Sequence, residues 1–99
     1  MLADWVERHT SEAPAALRAR VLEHVAAADG EPTVPIALAR AAQQALDQVL
    51  AHPGDRSVAL DLLAADALVT LALLAQAQRA PERLSEFAGS ILNSVRHDA

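Results

Sequence analysis

The chain has 99 residues, no cysteine and a formal charge of −5. That length holds one core with no room for a second, and the missing cysteines exclude disulfides, thiolate nucleophiles and cysteine metal sites. The acidic balance works against a phosphate- or nucleic-acid-binding role.

More than half of the residues are apolar, yet 24 are alanine and only Trp5 and Phe87 are aromatic. Alanine is the strongest helix former and adds little core volume. β-Branched residues are few and never alternate with polar ones, so the composition predicts an all-α chain. Eight arginines and no lysine, beside so much alanine, are most simply explained by a GC-rich genome, and a bacterial source is expected. The N-terminal MLADWVERHTSEAP shows no basic region followed by an apolar run, so it does not read as a secretory signal and a cytoplasmic location is expected.

In chain order, Leu2, Trp5, Val6 and His9 have helical spacing and predict a short helix over 2–10. It is too short to stand alone and must dock, with Trp5 as its anchor. A second helix is expected over 12–28, with Ser11 as N-cap and Pro14 tolerated in the first turn. Leu17, Val21, Val25 and Ala28 form its apolar stripe, and Arg18, Arg20 and Glu23 its outer side. Gly30 ends it. Residues 29–35, DGEPTVP, form a stiff connector. Thr33 caps a third helix over 34–51, in which Leu38, Ala42, Ala45, Leu46, Val49 and Leu50 share one face. HPGD at 52–55 breaks the chain, and Asp55 or Ser57 caps a fourth helix over 56–79. Pro81 suits the first position of a last helix, 82–96. Leu84, Phe87, Ala88, Ile91, Leu92 and Val95 make its stripe, with Gly89 off it. Short connections place sequential helices antiparallel. The expected fold is a small antiparallel helical bundle: four main helices plus a short N-terminal one, in a single domain.

The fourth segment is the unusual one. From Val58 to Ala75 its only polar side chains are Asp61, Asp66 and Thr70. On a helical wheel the large apolar residues fall into two stripes. Val58, Leu62, Val69 and Leu73 make one; Leu60, Leu63, Ala67, Leu71 and Leu74 make the other. Asp66 and Thr70 separate them on one flank. Alanines, Asp61 and Arg79 separate them on the other, where Leu68 is a stray. A surface helix needs one apolar stripe, so two stripes call for cover from two sides. The Leu60–Leu63–Ala67–Leu71–Leu74 stripe has the 3-4 spacing that suits helix pairing and is the expected interface. Asp66 with Thr70, one turn apart, is the candidate polar registry device of that seam. The segment is long enough to raise the question of a membrane span. Two aspartates inside it, each costing about 3 kcal/mol at mid-bilayer, argue against one.

Residues 62–75, LLAADALVTLALLA, resemble the Gly/Ala-Asp-Ala-Leu helix of isoprenoid (polyprenyl) synthases. That family works through two Mg²⁺-binding Asp-Asp-x-x-Asp motifs. This sequence contains neither, and the likeness spans about a seventh of it, so no residue role is carried over.

No catalytic constellation is visible. The four histidines lie on four segments, with no Glu-x-x-His or His-x-x-x-His pair, and read as surface or boundary residues. Asp61 and Asp66 point away from each other and cannot work as a carboxylate pair. Glycine occurs only at 30, 54 and 89, which leaves neither a nucleophile elbow nor a phosphate-cradling loop. No catalytic, cofactor-binding or metal-ligating residue is therefore assigned, and no enzyme activity is expected. The sequence predicts an interaction module or accessory subunit, self-associating as a homodimer or pairing with another helical protein. The alternative is a binding protein that holds a small apolar ligand in its alanine-lined interior.

Overall fold

The structure is a computed structural model; it describes residues 2–28 and 30–98, with side chains up to residue 94. Among these residues there is no strand. The helices are α1 (Leu2–His9), α2 (Ala15–Ala27), α3 (Val34–Ala51), α4 (Val58–Arg79) and α5 (Leu84–Asp98). A single 3₁₀ turn, Pro81–Arg83, joins the last two. The chain is an all-α helical bundle, as its composition predicted. Val95 of the expected last stripe, and His97, one of the four histidines, lie outside the described side chains.

Local chemistry explains where the helices differ from expectation. α2 begins three residues late because Ala13, ahead of Pro14, is disfavoured in the helical region. Pro14 itself is extended, with φ −55° and ψ 143°, and its carbonyl accepts the first bond of α2, from the Arg18 N–H at 2.9 Å. Ser11 therefore caps nothing; the reverse turn carries Ala13 N–H back to the Thr10 carbonyl at 3.0 Å. The buried Thr10 hydroxyl donates to the Val6 carbonyl at 2.8 Å and closes α1. α3 starts where expected, and Thr33 Oγ1 accepts the Ile36 N–H at 3.4 Å. α4 starts at 58 rather than 56. Asp55 Oδ1 accepts both the N–H and the hydroxyl of Ser57 at 3.0 Å, which ties residues 55–57 into a turn. Those hydrogen bonds from Ser57 lower the Asp55 carboxyl below its ordinary range. Pro81 opens a new element as predicted, by way of the 3₁₀ turn, in which Arg83 N–H bonds the Ala80 carbonyl at 3.0 Å.

α4 is the centre of the bundle. α3 runs antiparallel along it, α2 packs on another side, and α1 docks on α2. The α3–α4 seam is built from alanines: Ala41, Ala42 and Ala45 on one helix, Ala64, Ala65 and Ala72 on the other, all buried. Small side chains let two helix axes approach closely. The larger core members are Leu38, Leu68, Val6 and Val21. In α1 the fully buried residue is Val6; Trp5 is half-buried and stacks on His9 with ring centroids 4.0 Å apart.

The buried face of α4 is the flank that the sequence reading treated as a separator. It consists of Asp61, Ala64, Ala65, Leu68, Leu71, Ala72 and Ala75. Leu68, expected to be a stray, lies at its centre and is fully buried. The two leucine stripes sit on the shoulders to either side. α3 packs against alanine, and leucines at those seam positions would hold it away. In α3 the buried face likewise shifts toward Ala37, Ala41 and Ala45, and Leu50, expected on the buried side, is 62% exposed.

Candidate functional site

Three places outside the ordinary core carry chemistry. The first is a buried polar cluster where α2 meets α4. Asp61, near the start of α4, is 5% exposed, and so is His24. Asp61 Oδ1 accepts a hydrogen bond from Arg20 Nη1 at 2.9 Å and is paired with His24 Nε2 at 3.0 Å. Arg20 and His24 stand one turn apart on α2 and so share a face. Arg20 also reaches Glu23 at 3.2 Å. Burial pushes the Asp61 carboxyl up, but the hydrogen bonds and charges of His24 and Arg20 outweigh it and hold the group below its ordinary value. His24 Nδ1 is buried without a hydrogen-bond partner among the described residues.

His24 was expected at the surface or a boundary; it is a core residue because Asp61 supplies the partner that a buried imidazole needs. The signals were present but separated. They were a lone aspartate in an apolar run and an arginine and histidine at i, i+4 on another helix. Nothing in the sequence joined them across about 40 positions. The cluster ties α2 to α4.

The second place is the outer surface of α4. Of the expected interface stripe, Leu71 is 7% exposed and Leu60 and Ala67 are half-buried, whereas Leu63 is 56% exposed and Leu74 39%. Leu62, of the other stripe, is 52% exposed and shares a shallow depression with Leu63, Leu46 and Val69. Asp66 and Thr70 lie on the exposed outer edge between the shoulders. The Thr70 hydroxyl donates to the Asp66 backbone carbonyl at 3.0 Å, an ordinary back-bond to the preceding turn, and not to the Asp66 carboxylate. α4 is 22 residues long and its most apolar 18-residue window has a mean hydropathy of 2.1, which by length and composition is enough to cross a membrane.

The third place is a cleft of about 570 Å³ between α3 and α5, floored by α4. Ile36, Ala39, Leu46, Val69, Phe87 and Ile91 form its apolar lining. Arg40, Arg79 and Arg83 stand at the end where α3 begins and α4 stops. No described residue of α5 is fully buried, so the helix leans over the cleft on Leu84, Phe87 and Ile91. Ser94 reaches Gln43 at 3.4 Å and bridges the far end. Phe87 and Ile91 were expected in a core stripe, and no binding role was expected of these arginines; Arg79 and Arg83 are brought together by the turn at Pro81.

Known proteins add no guide. No protein-family model, no curated protein and no solved structure matches this chain significantly. Among the described residues no three His, Asp or Glu side chains converge to hold a metal ion.

Proposed function

We propose that the protein is a helical interaction module that works as a homodimer, joined through the α4 shoulder that carries Leu60, Leu63, Ala67 and Leu74; Leu71, of the same stripe, is taken up by the core. The observation behind this reading is the exposure of Leu63 and Leu74 in the first and last thirds of the most apolar helix. Two leucines eleven positions apart, with half-buried Ala67 between them, make a continuous ridge on one helix side. A second copy of the same ridge is a complementary surface, and twofold pairing is the commonest closed arrangement for a soluble oligomer. In that seam Asp66 and Thr70 sit at the edge, where a polar residue sets register at a small cost in stability.

A protein partner accounts for α4 better than lipid does. Its inner face carries a buried aspartate tied to α2, and its outer edge carries Asp66. The test is size-exclusion chromatography with light scattering across the micromolar range, on the parent chain and on Leu63→Arg. The reading expects a parent dimer and a folded monomeric variant. A parent chain that stays monomeric at every concentration, with helicity intact, refutes it.

A further inference from the structure

We infer that the cleft between α3 and α5 is a binding site for a free single-chain carboxylate: an unbranched apolar tail with an anionic head. This does not depend on the dimer: Leu63 and Leu74, whose exposure carries that reading, do not line the cleft.

The cleft volume falls within the roughly 300–1,000 Å³ typical of small-molecule sites. The apolar lining is long: on the α3 wall, from Ile36 to Leu46, it follows ten residues, about 15 Å of helix rise. A lining of that length takes an extended chain better than a compact ring. A purely apolar ligand would leave the mouth unexplained. Three of the chain's eight arginines stand there, on a protein of net charge −5.

Two of the three have distant, exposed partners. Arg40 lies 3.7 Å from Glu31 and Arg83 3.7 Å from Glu86, beyond hydrogen-bond length. Exposed pairs of this kind contribute little, so both guanidinium groups can turn to a ligand. Arg79 has no ion pair among the described residues. Glu86 also lines the mouth and takes away part of the positive charge, which favours a head with one negative charge over a polyanion. The helix dipoles do not decide the matter. The start of α3 and the end of α4 meet at the same mouth and oppose each other. The positive character comes from the guanidinium groups, which bind carboxylates in a forked, two-bond geometry. α5 is the wall best able to move, because none of its described residues is fully buried.

The experiment uses the full chain, ¹⁵N-labelled, titrated with sodium decanoate and, separately, with decan-1-ol. Decanoate is expected to bind saturably and to shift the amides of Ile36, Arg79 and Phe87 first. Decanol is expected to bind at least about tenfold more weakly, the loss that one charge-assisted hydrogen bond represents. Arg79→Ala, an exposed and structurally neutral change, should weaken decanoate about tenfold and leave decanol unchanged. Ala39→Phe, which fills the floor, should weaken both; if it does not fold, Arg79→Ala still decides the question. Equal affinity for the acid and the alcohol, an Arg79→Ala variant that binds decanoate like the parent, or shifts confined to the α4 ridge would each overturn the assignment.

Discussion

Replacing Asp61 tests the assembly of the bundle most directly. Asp61→Ala removes the acceptor of two hydrogen bonds, from Arg20 at 2.9 Å and with His24 at 3.0 Å. A hydrogen bond to a charged group contributes about 1.5–3 kcal/mol. The Arg20 side chain is 29% exposed and can fall back on Glu23, so its share belongs at or below the bottom of that range. The His24 share is less forgiving. Its Nδ1 already lacks a partner, and the substitution would leave Nε2 buried without one as well. Stranding a buried polar group costs about 1–3 kcal/mol. The total is about 3 kcal/mol, which for a domain of this size lowers Tm by roughly 12–24 °C. Asp61→Asn keeps an acceptor oxygen and should cost about half as much. Urea and thermal unfolding followed by circular dichroism at 222 nm would measure both. If Asp61→Ala unfolds within about 0.5 kcal/mol of the parent, as an ordinary surface change does, the cluster does not hold α2 on α4 and the reasoning fails.

Other outcomes follow from the same structure. The Asp61 carboxyl is lowered in the folded state, so its contribution is complete above its unfolded value near pH 4 and fades as pH falls through its folded value. The acid limb of a stability–pH curve should therefore flatten in Asp61→Asn. Ala64→Leu forces extra methylenes into the alanine seam between α3 and α4 and should destabilise by about 1–3 kcal/mol or more in equilibrium unfolding. Gly89 has an ordinary helical backbone and open space where a Cβ would stand, so Gly89→Ala should raise stability by about 0.5–1 kcal/mol in the same assay.

How far the sequence could be read differs from element to element. The helix starts at Thr33 and Pro81 were legible because capping and proline geometry act within three or four residues. The start of α2 was misplaced because Pro14 can open a helix or precede one, and the choice turns on the ψ of Pro14 itself. The exposed leucines at 63 and 74 were legible as surplus apolar surface. The cleft was not, because Arg40 and Arg79 are 39 positions apart and meet only through the antiparallel pairing of α3 with α4.

Alanine-rich periodicity, together with the proline and glycine breaks, was enough by itself to make this chain a set of helices joined by short turns. Those signals are local, and local backbone energetics carry them. Which side of α4 faces inward was decided in three dimensions. Hydrophobicity ranks leucine above alanine, and so it pointed to the wrong face. Close approach of two helices ranks them the other way, because a small side chain lets more of the backbone surface come into contact. Once α3 had settled on the alanines, the leucines were left on the shoulders. Asp61 was then carried inside, where only α2, bringing Arg20 and His24, could satisfy it.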